Sequence, residues 1–314
     1  MRKTILSFLL LLLAGCVTRG QDAASLPFTL KPLGNNVYAV IANPKSNAGS
    51  NSGFIIGDDG VIVVDTFVTA DAAKALLAEI QKLTKLPIKF VVNTHYHLDH
   101  VAGNGVYAQT GAVIIGQKNL RGWINTENLK FFGPTPKPEQ KSMVEALVAP
   151  SLTYDSAIEL FVSAKPIVVR YYPGHTGGDS VVFSPDAQVV FTGDLFWRKT
   201  LPNLIDGTTD QWAETDAKLA ADFPNAKFVS GHGDVGTAAD VKDFEGYIND
   251  LRAAVAAGLK YGQSGDALVA SVTAQLQPKY SKWDAYDYFL KRNIADTEKE
   301  LTHTKKIPQP AAQR

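Results

Sequence analysis

Asn93-Thr94-His95-Tyr96-His97-Leu98-Asp99-His100 sets three histidines and an aspartate within six residues, directly after the apolar run Phe90-Val91-Val92. Imidazoles and carboxylates are the usual ligands of zinc where the ion has to stay reactive. In a segment that is extended just past a strand, alternate side chains share a face, so His95 and His97 can reach one ion. Asp99 and His100 are adjacent, and a turn there aims them at a second ion nearby. This short segment can therefore hold parts of two metal sites.

Two ions need further ligands, and three later segments offer them in one setting. Tyr171-Tyr172-Pro173-Gly174-His175 puts a histidine behind a glycine at the end of a predicted strand. Phe191-Thr192-Gly193-Asp194 does so with a carboxylate, and Val229-Ser230-Gly231-His232-Gly233 with another histidine. Glycine lets the chain turn sharply and lets other atoms come close. Five of the six histidines fall in these contexts, and only His303, in the polar tail, lies outside them. A lone His-x-His is often a surface accident and a lone Gly-His-Gly often a turn. The ordered series points to a di-metal centre.

This series, His95-Tyr96-His97-Leu98-Asp99-His100 with His175, Asp194 and His232, resembles the HxHxDH motif and downstream ligands of the metallo-β-lactamase superfamily. The resemblance runs from about Val37 to Gly236. It implies an α/β fold, an αββα sandwich of two mixed β-sheets flanked by helices, with the metals at one edge between the sheets. Carried over by position, His95, His97 and His175 bind the first metal, Asp99, His100 and His232 the second, and Asp194 bridges both. The implied cofactor is two Zn²⁺, with Fe or Mn as alternatives. Asp65, ending the run Val61–Val64, is expected to support the histidine loop by hydrogen bonds and not to bind metal. Asp179 and Asp234, which follow ligand turns, are expected to do no more than bond within turns.

The resemblance also implies the activity. A di-zinc hydrolase would use a metal-bridging hydroxide, with Asp99 as the catalytic carboxylate orienting it, to cleave a small ester, thioester, lactone or amide-type substrate. No Ser or Cys nucleophile is required. Aspartate at position 194 is similar to glyoxalase II, lactonases, phosphodiesterases and sulfur-oxidation-associated members, whereas one large subclass of true β-lactamases has Cys there. A β-lactamase is the first alternative. A mononuclear iron oxygenase or a non-catalytic metal-binding lipoprotein of the same fold is the second. Flavodiiron-type members carry Glu where this chain has His97, which argues against a redox role. Arg198 and Lys199 are candidates for binding a substrate carboxylate, and Trp197, Phe131 and Phe132 for an apolar wall.

The flanking sequence reads as strands and helices in alternation. Val37–Ile41 is a predicted strand, and Phe54–Ile56 and Val61–Val64 form a hairpin about Gly57-Asp58-Asp59-Gly60. Ala73, Leu76, Leu77, Ile80 and Leu83 have helical spacing, with Thr69 or Asp71 as cap. Ala112–Ile115 is a strand and Lys118–Ile124 a helix. Residues 128–150, with four prolines, are expected to form an exposed loop or lid with a short helix at most. Strands follow at 158–162, 167–172, 181–183, 189–192 and 228–230, with a helix over 210–223. Phe244, Ile248, Leu251, Val255 and Leu259 mark a long amphipathic helix.

The 314 residues are expected to divide into a signal peptide (1–15), a tether (16–27), a catalytic domain (28–237) and a C-terminal helical extension (238–314) packed on that domain and ending in a polar tail. Arg2 and Lys3 precede the apolar run Ile5–Leu13, which is too short for a transmembrane span and reads as an export signal. Leu13-Ala14-Gly15-Cys16 resembles a lipobox, so the expected location is the periplasm, with a lipid anchor on Cys16 reaching the membrane. A soluble secreted or periplasmic form is the alternative. Cys16 is the only cysteine, so no intrachain disulfide is available. Lys plus Arg number 31 and Asp plus Glu 31, and loss of Arg2 and Lys3 leaves 29 against 31. That balance gives no sign of nucleic acid as a partner. The expected partner is a small-molecule substrate.

Overall fold

Four strands open the chain in a computed structural model that describes residues 25–309: β1 (Phe28–Gly34), β2 (Val37–Ala42), β3 (Ser52–Ile56) and β4 (Val61–Val64). Each is antiparallel to the one before, and the expected hairpin joins β3 to β4. Helix α1 (Ala70–Leu83) starts where the Thr69 side chain accepts a hydrogen bond from Ala72 N, and it buries Ala72, Ala73, Leu76 and Ile80. This crossover brings β5 (Ile88–Val92) parallel to β4. Short helices α2 (Leu98–Val101) and α3 (Asn104–Ala108) lead to β6 (Val113–Gln117). Then come α4 (Lys118–Trp123), a 3₁₀ helix (Glu127–Phe132), α5 (Pro138–Glu145) and β7 (Leu152–Tyr154). The seven strands lie side by side in chain order.

The second sheet holds β8 (Ala157–Leu160), β9 (Ile167–Tyr171), β10 (Ser180–Ser184), β11 (Val189–Trp197), β12 (Lys227–His232) and β13 (Gly236–Thr237), in the order 13-12-11-10-9-8. Helix α6 (Thr209–Asp222) makes the crossover that sets β12 parallel to β11. Helices α7 (Ala238–Lys260), α8 (Gly265–Tyr280) and α9 (Tyr286–Leu301) follow. Both sheets are mixed, and the helices flank them. Ile62, Val64, Val92 and Ile115 of the first sheet meet Val169, Val182, Val189 and Phe191 of the second. Helices α1 and α3 cover the outer face of the first sheet, and α6 to α9 share a core with β11 and β12. Strands β4 and β11 are buried along their whole length because both of their faces are covered. The architecture is the expected αββα sandwich with a helical C-terminal region.

Three strands were not legible. β1 is an edge strand carrying Pro32, which weakens a strand reading, and β7 and β13 are only three and two residues long. Residues 128–150 are largely exposed and contain a short helix, α5, in keeping with the expected loop or lid, but the segment is not free. Asn128 is fully buried, and its Nδ2 donates to Tyr96 O at 2.7 Å and Ile124 O at 2.9 Å, so this segment is fastened to the histidine loop. The expected leader at 1–15, Cys16 and the expected tether as far as residue 24 lie outside the described residues. Among the described residues no helix is long and apolar enough to cross a membrane.

The sheets approach closely at Gly53 of β3, where a Cβ would stand 2.0 Å from Phe191 Cε1. Gly53→Ala is therefore expected to destabilise the fold by about 1–3 kcal/mol through overpacking. Adding Phe191→Leu should recover part of that loss. Denaturant unfolding of the two single variants and the double variant checks this, and strictly additive effects would contradict the close approach.

Candidate metal centre

The centre lies at the edge of the sandwich, where loops from both sheets meet. Strand β5 ends at Val92, and the next eight residues run into α2, carrying His95, His97, Asp99 and His100. His175 stands four residues past the end of β9. His232 is the last residue of β12. Asp194 differs from expectation: it is not at a strand end but inside β11, which runs on to Trp197. Its side chain reaches the centre because the pairing of β11 with β12 shifts register around Gly193, which has φ of +52°. Close approach explains two of the glycines. A Cβ on Gly231 would lie 2.0 Å from Asp194 Oδ1, and one on Gly193 2.2 Å from Thr94 Oγ1.

All seven expected ligands come together, in two groups. His95, His97, His175 and Asp194 offer ligand atoms within 4.8 Å of one another, as do Asp99, His100 and His232. Asp194 faces both. Its Oδ2 is 3.7 Å from His95 Nε2 and 3.3 Å from His175 Nε2, and its Oδ1 is 3.1 Å from His100 Nε2 and 3.4 Å from His232 Nε2. Asp99 Oδ2 lies 3.3 Å from His232 Nε2 and 3.6 Å from His100 Nε2. Ligand atoms bound about 2.0–2.1 Å from a tetrahedral zinc stand about 3.3–3.4 Å apart, so this donor set fits zinc. Among the described residues, buried His95 Nε2, His100 Nε2, His232 Nε2 and Asp194 Oδ1 find no hydrogen-bond partner, which is costly unless an ion engages them. His303 is exposed in the tail, away from the centre.

Hydrogen bonds around the centre decide which ring nitrogen is free. Asp65, in the left-handed region at φ 58° just past β4, accepts from Thr94 N at 2.8 Å and Thr94 Oγ1 at 2.7 Å. Its Oδ2 also takes the Nδ1–H of His100 at 2.8 Å, leaving Nε2 for metal. The Nδ1–H of His95 donates to Thr94 Oγ1 at 3.1 Å, with the same result. His97 is held the other way round: its Nε2–H donates to Asp206 Oδ2 at 2.8 Å, and Nδ1 stands 2.9 Å from His175 Nε2. Asp206 also accepts from Tyr96 Oη at 2.5 Å and from Lys130. The sequence reading missed Asp206, because nothing in Leu204-Ile205-Asp206-Gly207 marks it as more than a turn residue. It missed Asn51 too, whose Nδ2 donates to Ser230 O and Gly233 O at 2.9 and 2.8 Å and ties the sheets together beside His232.

The charges follow from burial and from these partners. Burial and neighbouring imidazoles hold His95 well below its ordinary pKa and His175 down at about 3, so both are neutral and able to bind metal. Burial opposes charge on His232 too, yet Asp194 and Asp99 raise it to about 9, and His100 is raised in the same way. Against burial, His100 and His232 keep Asp194 well below the usual carboxylate range and Asp99 at about 2. Against burial, His97 and Lys130 keep Asp206 ionised.

A cavity of about 400 Å³ opens over the centre, with Phe131 and Trp197 in its wall. Phe132 does not line it. Arg198 pairs with Asp240 at 3.2 Å and Lys199 with Asp243 at 2.7 Å, so neither serves the cavity as a carboxylate clamp. Asp179 accepts from Gly174 N, Thr176 N and Thr176 Oγ1 and fixes the His175 turn, while Asp234 pairs with Lys31 at the surface.

The chain belongs to the metallo-beta-lactamase superfamily, whose family match covers residues 47–232. A linear primary-alkylsulfatase of Pseudomonas sp. (strain ATCC 19151) is 26% identical over 175 residues, 46% of this chain and 33% of that protein. A hydroxyacylglutathione hydrolase of Brucella anthropi is 28% identical over 185 residues, 58% of this chain and 61% of that one. Another, from Rhodobacter capsulatus, is 29% identical over 55% of this chain and 57% of its own length. The chain thus spans between a third and two thirds of these relatives. Among solved structures, a metallo-beta-lactamase from Pontibacter korlensis shares the fold, with TM-score 0.57, 19% identity, and coverage of 71% of this chain and 99% of that one.

Removing the carboxylate that orients His97 should loosen the centre. Asp206→Ala is expected to weaken metal retention about 10- to 100-fold. Competition with a chelator, followed by metal analysis, reads this directly, and retention equal to wild type would show that Asp206 does not orient a ligand.

Proposed function

We propose that this chain is a di-zinc hydrolase that cleaves a small ester, thioester, lactone or amide-type substrate, with Asp194 bridging the two ions. The placement of Asp194 carries the reading, since its two oxygens face different pairs of imidazoles. His95, His97 and His175 would hold one ion, and Asp99, His100 and His232 the other. When bound, the ions supply Lewis acidity and draw the pKa of water toward neutrality.

The chain's own groups do the rest. Asp99 is the more open of the two carboxylates, with 28% of its side chain exposed against 3% for Asp194. It lines the cavity, where one oxygen can accept a hydrogen bond from an attacking water and orient it. Asp65 and Asp206 keep three of the imidazoles in fixed tautomers throughout. Trp197 and Phe131 limit the access of bulk water to the reacting atoms. The hydroxyacylglutathione hydrolases and the alkylsulfatase among the relatives support hydrolysis as the reaction class. The apolar run Ile5–Leu13 behind Arg2 and Lys3, and the lipobox-like Leu13-Ala14-Gly15-Cys16, are the sequence features that support placement in the periplasm on a lipid anchor.

Zinc-loaded protein is expected to hold about two ions per chain and to turn over at least one member of a panel: a lactone, a glutathione thioester, nitrocefin, a carbapenem, a phosphodiester and a primary alkyl sulfate. Asp194→Ala and His100→Ala should each lower that turnover by about 10²-fold or more. Unchanged turnover in either variant sinks the site assignment. Two bound ions with every substrate refused sinks the reaction class.

A further inference from the structure

Away from the ligands the lining of the cavity over the centre is mostly apolar, and its two polar members, Thr200 and Asn203, are uncharged. Val68, Leu98, Phe131 and Trp197 form part of its wall, and Ala285 and Phe289 close it from the turn into α9. Among the described residues no lysine or arginine lines it, and the basic side chains near it are engaged elsewhere: Lys130 with Asp206, Arg198 with Asp240, and Lys199 with Asp243. The ionisable groups in the lining are ligands of the proposed centre, His97, Asp99, Asp194 and His232.

The wall is built in advance of any ligand. Trp197 stacks on His232 with ring centroids 3.8 Å apart, and its indole meets Phe289 edge-on at 5.8 Å and 90°. The turn before α9 is tied to the exit of β11 by two backbone bonds, Leu201 N to Asp284 O and Asp284 N to Lys199 O, both 2.9 Å. Ala285 sits in the left-handed region at φ 58°, a strained position for alanine that this tie holds. Ala285 and Phe289 also lie beyond residues 47–232, the stretch that matches the family. This side of the cavity is thus contributed by the C-terminal helices.

We propose that the cavity selects substrates bearing a neutral, apolar group of several carbons beside the reacting centre, seated between Phe131, Trp197 and Phe289, and disfavours an anionic group in that place. The chemistry at the centre rests on the hydrolase reading, while the recognition can be read by binding alone. Each buried methylene is worth up to about fourfold in affinity. A carboxylate set against these rings, with no lysine or arginine to meet it, would lose much of its hydration.

Calorimetry on zinc-loaded protein with methyl-, butyl- and octylphosphonate and with 3-carboxypropylphosphonate tests this, because the phosphonate head is common to all four. Butylphosphonate is expected to bind at least about tenfold tighter than methylphosphonate, and tighter than the carboxypropyl compound. Phe289→Ala should cut the butyl-to-methyl ratio severalfold, and Phe289→Leu should retain most of it. Flat or absent affinity along the alkyl series, preference for the carboxypropyl compound, or an unchanged ratio in Phe289→Ala overturns the proposal. Hydrolysis of p-nitrophenyl acetate, butyrate, hexanoate and hemisuccinate separates the two readings. Graded phosphonate binding with no ester turnover removes the hydrolase assignment and leaves the recognition standing. Ester turnover indifferent to chain length does the opposite.

Discussion

Five imidazoles and two carboxylates converge on one corner of the sandwich, and polar atoms placed there have to meet a partner or an ion. Much of the surrounding structure answers that demand. Asp65 takes up Thr94 and His100, Asp206 takes up His97, Tyr96 and Lys130, and Asp179 takes up the backbone that presents His175. Glycines stand where a methyl group would displace the bridging carboxylate or the histidine loop. The unpaired Nε2 atoms of His100 and His232 face the unpaired Oδ1 of Asp194 at 3.1 and 3.4 Å, distances suited to ligands of one small divalent ion.

The clustering of the seven candidate ligands was legible in the sequence because their side chains are chemically uncommon and sit in recognisable local settings. The two-sheet architecture followed from the resemblance they carry, and the hairpin β3–β4 and helix α1 from their own periodicity. What escaped the sequence is equally specific. Asp206 lies in a turn with no motif, and its role depends on the 3₁₀ helix Glu127–Phe132, which brings Lys130 alongside it. Asp194 was expected at a strand end because Gly193 reads as a terminator, whereas here that glycine permits a bulge and the strand continues. Arg198 and Lys199 looked available for substrate only because their partners, Asp240 and Asp243, lie more than forty residues further on.

The C-terminal helices share one core with α6 and the second sheet. Ala285 and Phe289 also reach the cavity over the centre. The segment after the family match therefore works on two levels: it covers the outer face of β11 and β12, and it sets what surrounds the reacting atoms. Lys305 adds a third contact, donating to Leu204 O at 2.6 Å and Gly207 O at 2.5 Å on either side of Asp206.

The ligands are divided between the halves of the chain. His95, His97, Asp99 and His100 follow a strand of the first sheet, whereas His175, Asp194 and His232 belong to the second. Neither half holds a complete set for either group, so the centre acts as a clasp that closes only once the two sheets have docked. Metal bound there would be coupled to assembly, and its binding free energy would help to keep the halves together.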